Sequence, residues 1–465
     1  MSIARKDWLE FVRDRRFVVI AVMAIFLALA ALAASWARVS AYEADRAAAQ
    51  AQEWRTWTSQ GARNPHGAAH FAQWAMRPLD ALAILDPGVT PYAGSAVWME
   101  AHHWNPARAR QVEDAESGFD LGAFSVAWML QMLLPLIIFV LTAASVARER
   151  ERGTLRLLLM SGLSPGAVVR GKMFAAARVT AVLAVPIILA CVIAVAMVGV
   201  ADPVRLLLWC SLYLVYAAIS ATIALAVSAF SRTGSQAMLV LIGLWLVFTL
   251  LVPRVGASIA QSAAPVPSPA LYAAAVADDR EKQPDVFGDD AERFTAQVMR
   301  ERGVARPEDL TVSIGGLQLE EDERLGNIVF EHHFNALDAI YHRQRAILRW
   351  FGTLSPLLAV QNLSMVLAGT SMPDQIAFQR QAESHRRRMV TYLNTDLIEN
   401  GGGEEFDYLA GDSLWRSTPR FSYRPPSVAN SLGQAAGDIV ILLTWTVAAI
   451  ALLLFATRRF TREAL

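Results

Sequence analysis

The chain has 465 residues, 54% hydrophobic and only 18% charged, with a mean hydropathy of +0.33, which excludes an ordinary water-soluble domain. Lys plus Arg and Asp plus Glu balance at 42 each, but the balance is uneven along the chain. Residues 1–16, 147–174, 230–236 and 458–465 together hold 15 Lys/Arg against 6 Asp/Glu, while the polar segments 38–122 and 254–435 hold 25 against 34. Positive charge in short segments marks the cytoplasmic side of a membrane, so the four short segments are predicted inside and the two long ones outside.

Residues 1–16 are mixed and net basic, with Arg5, Lys6, Arg13, Arg15 and Arg16. The apolar run 17–37 is long enough to cross about 30 Å of hydrocarbon. Ala31-Leu32-Ala33 resembles a signal cleavage site. The run is nevertheless longer than the usual signal core of about 7–15 residues, and acids are rare ahead of such a core. An uncleaved first span is therefore expected. Residues 39–59 read as a polar helix, followed by a turn-rich stretch containing Asn64-Pro65-His66-Gly67 and Asp86-Pro87-Gly88. Trp54, Trp57, Phe71, Trp74, Tyr92, Trp98 and Trp104 concentrate here, which predicts a segment lying low over the bilayer or packed on the second polar segment.

Four further spans are predicted at 124–147, 174–200, 204–230 and 237–252. They are linked by a charged loop at 148–172, a turn at Ala201-Asp202-Pro203 and a short turn at 231–236. Pro135 and Pro186 fall mid-span, where they kink a helix or free backbone carbonyls. Ser220, Ala224 and Ser228 at four-residue spacing offer a small-residue face for helix packing. Gln131, strongly polar and near a span centre, is the candidate pathway residue. A bond across helices is the favoured reading over contact with cargo. Arg205 beside Asp202 is expected to snorkel to the interface, and Arg178 to reach the headgroups.

In the second polar segment, helices are predicted over 291–302, 320–351 and 375–394. The apolar stretch 355–367 is too short to span and is expected to be buried or interfacial. A sixth span at 437–457 is stopped by Arg458, Arg459 and Arg462. Cys191 and Cys210 lie in apolar runs and the polar segments contain no cysteine, so no disulfide framework is expected there.

Within the loop, Thr154 is predicted to cap a short helix with Leu155, Leu158 and Leu159 on one face. Ser161-Gly162-Leu163 ends that helix, and Ser164 caps the next one with Pro165 at its first position. Glu149-Arg150-Glu151-x-Gly153-Thr154-Leu155-x-x-Leu158-Leu159, then Ser164 and Gly171-Lys172, resembles the coupling motif of type-2 ABC transporter permeases. Asn64-Pro65-His66-x-Ala68-Ala69-His70-Phe71, Asp86-Pro87-Gly88-Val89 and Ser355-Pro356-Leu357-Leu358-Ala359-Val360-Gln361-Asn362 resemble a subgroup with a large extracytoplasmic domain of unassigned function.

The resemblance implies coupling residues Arg148, Glu149, Arg150, Glu151, Gly153, Thr154, Leu155, Leu158, Leu159, Ser164 and Lys172, docking on a separate ATPase. ATP and Mg²⁺ are then expected on two cytoplasmic ATPase subunits, with no catalysis, cofactor or metal on this chain. A second copy or a sister permease completes the pathway in a bacterial-type inner membrane, with lipid around it and both termini cytoplasmic.

The fold class read from this pattern is an all-α membrane protein with six transmembrane helices and a mainly helical extracytoplasmic domain built from two insertions. The expected division is 1–37, 38–122, 123–253, 254–435 and 436–465.

Several motifs are weighed and set aside. Gly166-x-x-x-x-Gly171-Lys172 is followed by Met173 rather than Ser or Thr and has no strand before it, so it is no nucleotide loop. Gly162-Leu163-Ser164-Pro165-Gly166 matches a hydrolase elbow in letters alone. His332 and His333 point about 100° apart on a helix. His66 and His70 with His102 and His103 are the other candidate metal group beside Glu331-His332-His333 with Asp338, but Pro65 and Gly67 argue for a loop rather than a shared helix face, and both groups are read as solvated surface. Arg386-Arg387-Arg388 is expected to be a solvated face or headgroup contact, not a nucleic-acid site.

Overall fold

The computed structural model describes residues 3–463 apart from 14, 72, 111–123, 200 and 201. The end of the first polar segment, the turn residue Ala201, and the side chains of Arg16, Arg459 and Arg462 lie outside the described residues. The chain is 78% helical, and its one sheet among the described residues pairs two four-residue strands, so the fold is an all-α membrane protein.

Among the described residues, six helices are long and apolar enough to cross a membrane: Phe17–Thr58, Val126–Glu151, Pro165–Val198, Pro203–Phe230, Gly234–Ala263 and Ala436–Arg458. The fourth is the most buried of them and packs against the second, third, fifth and sixth. Its neighbours supply the apolar core around Trp209, Tyr213, Ala217, Ala221 and Ala224. Cys191 and Cys210 are both buried within the third and fourth spans.

The first span does not stop at the end of its apolar run. A single helix continues from Arg15 to Thr58, 44 residues or about 66 Å, and carries the polar stretch expected as a separate helix. No glycine or proline interrupts 15–58, so nothing breaks the backbone ladder. The fifth span likewise overruns its expected end and reaches Ala263. Its turn over Val247–Leu251 widens to a π-helix just before Pro253. A second π-turn, Met129–Leu133, precedes Pro135 in the second span.

The two polar segments fold together into one body at one end of the spans. Strands Gln73–Met76 and Ala96–Met99 pair antiparallel, placing Trp74 opposite Trp98. The turn-rich reading of the first segment missed this hairpin because its strands are too short for a period-two pattern to register. Trp57, Ala68 and Ala69 share a core with Phe378, Met389, Leu393 and Trp415, so the tryptophan-rich segment packs on the second polar segment. Helices Ile314–Phe351 and Met372–Asn400 form the long frame of this body. The apolar helix Pro356–Ala368 sits in the same core as the spans, against the fourth and sixth.

Two expectations about arginines are corrected. Arg205 does not snorkel; it is buried and donates to the carbonyls of Val366, Leu367 and Pro426 and to Ser431 Oγ. It thereby satisfies the carbonyl end of helix Pro356–Ala368. Arg386 is no solvated face either. It is 1% exposed and paired with Glu383 and Glu323, while Arg387 reaches Glu383 and Glu331 and only Arg388 stays at the surface.

Candidate functional site

The loop between the second and third spans is built on one left-handed residue. Gly153 has φ 73° and stands as the N-cap of helix Thr154–Met160, a conformation that a Cβ disfavours. Thr154 is therefore not the cap: it is the first helical residue, and its hydroxyl donates back to the Glu149 carbonyl at 3.2 Å. Leu155 is 2% exposed and enters a small apolar cluster with Val146, Val168, Ala229 and Ala456. Those four come from the ends of the second, third, fourth and sixth spans, so the short helix shares one apolar cluster with all four. Leu158 and Leu159 are half-buried beside it. The opposite face carries Leu157 and Met160, 65% and 70% exposed, with Arg148, Arg152 and Arg156 exposed around them.

Ser164 caps the third span as the sequence indicates, its hydroxyl accepting from Ala167 N at 3.2 Å with Pro165 at the first position. The two letter-level decoys thus fall within a helix start. Gly171 lies where a Cβ would meet Ile3 at 2.8 Å, so the amphipathic helix Ile3–Arg13 presses against the third span.

Charges lock this end. Lys172, 3% exposed at its side chain, sits 2.9 Å from Asp7 and 2.7 Å from Glu149, and Lys6 joins Glu149 at 3.1 Å. Burial pushes the Asp7 carboxyl up, against the pull of Lys172. Arg150 donates to the Ser231 carbonyl at 2.6 Å, and Glu151 accepts from Gly234 N at 3.2 Å, at the N-terminus of the fifth span. Asp7 and Lys6 belong to no motif, and sequence reading missed both. Their signal is faint: Asp7 is one of three acids among the five bases of 1–16.

Deeper in the spans, Ser220, Ala224 and Ser228 are all buried. Ser228 does more than leave room, because its Oγ accepts from Val146 N and Ala147 N where the second span restarts its last turn. Ser220 Oγ donates to the Tyr216 carbonyl at 2.9 Å. Gln131 Nε2 donates to Tyr213 OH at 2.9 Å, so it bonds across helices. Tyr213 OH and Trp209 Nε1 donate to Ser364 Oγ, which donates in turn to Asp86 Oδ2 at 2.5 Å. Burial pushes the Asp86 carboxyl up to about 6. This chain of side chains ties the second and fourth spans to both polar segments.

In the polar body, Asn64-Pro65-His66-Gly67 is not a turn but a helix start. Asn64 Oδ1 accepts from His66 N at 2.9 Å and Gly67 N at 3.1 Å, and Pro65 takes the first position of helix Pro65–Phe71. His66 and His70 then share a face, and the described residues bring His102 to them. His66 is buried, and burial followed by its imidazole neighbours lowers it to about 4. His103 and His332 are exposed, and His333 pairs with Asp279 at 2.9 Å.

No curated protein matches the chain. The model of the family described as ABC-2 family transporter protein matches residues 1–465. With six apolar helices, an all-helical membrane core and a match over its whole length, the chain belongs to the ABC-2 transporter family and is a membrane permease component of an ABC transporter.

Proposed function

We propose that the loop 148–172 is the seat of a separate cytoplasmic ATPase, which drives this permease to move an unidentified substrate across a bacterial-type inner membrane. The observation that carries the reading is the two-faced helix Thr154–Met160. Leu155 roots it among the ends of four spans, while Leu157 and Met160 face outward within a basic rim. Exposed apolar side chains ringed by charge are what a docking surface requires. The rooted face gives a push on that helix a direct path into four spans.

Both termini and this loop are cytoplasmic in the proposed topology and the polar body is extracytoplasmic, supported by the bias of 15 Lys/Arg against 6 Asp/Glu in the short segments. Two ATPase subunits, each carrying ATP and Mg²⁺, serve a pair made with a second copy or a sister permease. Nucleotide chemistry stays off this chain: the Gly166–Lys172 letters lie in a helix, with Lys172 held by two carboxylates.

Co-purification with the ATPase tests the docking. Leu157→Asp and Met160→Asp, both at exposed positions, should leave membrane insertion intact and weaken ATPase retention by about thirtyfold if they act as interface anchors. Undiminished retention in the double variant refutes the seat.

A second reading keeps the ATPase and drops the cargo: the polar body is worked mechanically on an envelope partner. The uninterrupted helix Arg15–Thr58, joining the loop end to the polar body, favours it. Cargo-stimulated ATP turnover in liposomes supports transport; turnover stimulated only by an envelope partner supports the mechanical reading.

A further inference from the structure

We propose that His66, His70 and His102 form a three-histidine site for a divalent transition-metal ion of the zinc class. The three rings come from two places in the chain and meet at their Nε2 atoms. His66 Nε2 lies 3.1 Å from His70 Nε2 and 3.1 Å from His102 Nε2. Ligand nitrogens about 2.0–2.1 Å from a tetrahedral zinc stand roughly 3.3–3.4 Å apart, close to this spacing.

The far sides of the rings decide what can sit between them. His66 Nδ1 is 3.2 Å from Asn394 Oδ1, and the amide is oriented by its own Nδ2 donating to Glu320. The proton of His66 is thus on Nδ1, and its Nε2 presents a lone pair. His102 Nδ1 stands 2.9 Å from Asp322 Oδ2, an ion-pair approach rather than an aligned hydrogen bond, and it too must carry the proton. Two lone pairs therefore face each other at 3.1 Å. A proton from His70 can relieve one of them. A cation relieves all three rings at once.

Carboxylate or amide partners behind the ring nitrogens are the arrangement that orients imidazole ligands and raises their basicity. His102 is also held with φ 61° by its N–H donating to Glu323, a left-handed backbone kept for the aim of its side chain. An all-imidazole set selects zinc, copper(II) or nickel(II) over calcium and magnesium, which demand oxygen. His70 is exposed, so the fourth position opens to solvent. The ion would tie helix Pro65–Phe71 to the stretch carrying His102, both in the first polar segment, while Asp322 of helix Ile314–Phe351 and Asn394 of helix Met372–Asn400 stand behind the rings.

The test titrates Zn²⁺ into the purified full-length chain in detergent after chelation and desalting, read by calorimetry and thermal unfolding. One ion per chain is expected, raising the unfolding midpoint by about 3–5 °C at saturation. His70→Gln and His102→Gln should each weaken binding by more than about tenfold, and Asp322→Asn by about tenfold through the ring it faces. His70→Gln, at an exposed position, should leave the metal-free midpoint unchanged, separating loss of a ligand from loss of fold. A paired His332→Gln/His333→Gln control should bind like the parent. Absence of saturable binding, or equal affinity in the parent and His70→Gln, overturns the site.

Discussion

Gly153 shows how much a single backbone angle can carry. At φ 73° it turns the chain from the second span into the short helix, and nothing would touch a Cβ placed there. Its constraint is conformational, at about 1–2 kcal/mol for an ordinary residue. Proline, fixed near −65°, cannot adopt it at all. Gly153→Pro should insert normally yet abolish transport, as should Leu158→Asp, measured by uptake or efflux in vesicles; normal transport in both removes the coupling role.

Lys172 is the complementary case, a cation between Asp7 and Glu149 with almost no water. Lys172→Met leaves two buried carboxylates and should lower stability by about 3–5 kcal/mol. Adding Asp7→Asn should restore part of that loss, as measured by thermal unfolding of the single and double variants.

Glu53 gives a pH signature. Burial raises its carboxyl to about 7, against a hydrogen bond from Trp74 N. The native state then binds this proton more tightly than the unfolded chain, so its contribution is full below about pH 4.5 and fades as pH rises through 7. Glu53→Gln keeps the acceptor for Trp74. It should flatten stability over that window by about 1–3 kcal/mol relative to the parent, read from unfolding midpoints against pH.

At the scale of elements, helix Pro356–Ala368 ends against Arg205, whose planar fork serves three carbonyls and a hydroxyl. Arg205→Lys keeps the charge but loses the geometry, and should cost about 2–4 kcal/mol in thermal unfolding. This contact also marks the limit of sequence reading. Apolar length exposed six spans, and the Ser-Pro pair at Ser164 and Pro165 announced a helix start, because both signals are local. Arg205 beside Asp202 looked like an interface pair because its true partners lie more than 150 residues away.

A comparable separation hid Lys6 and Asp7 from Glu149 and Lys172. Periodicity in the loop grouped Leu155, Leu158 and Leu159 on one face. That is the face turned into the spans, and the exposed Leu157 and Met160 became visible only once the spans were placed around it. In Asn64-Pro65-His66-Gly67 the local signal was present but ambiguous: Asn and Pro serve a helix start as well as a turn.

Across the whole molecule, the 44-residue first helix runs from the loop end to the polar body, and the side-chain chain from Gln131 through Tyr213 and Ser364 to Asp86 ties the second and fourth spans to that body. Helices transmit displacement only while their hydrogen-bond ladder is unbroken. Two glycines inserted after Ala48 should leave docking of the ATPase unchanged and abolish any turnover stimulated by an envelope partner. Retained stimulation would assign transmission to the buried side-chain chain instead.

The seclusion of both native thiols, Cys191 and Cys210, turns the unaltered polypeptide into its own blank for labelling. Impermeant maleimides offered from either aqueous face should find no target until one is engineered. Arg152→Cys should then react only from inside the cell and Asn430→Cys only from outside, so sidedness can be read without first stripping the natural sequence.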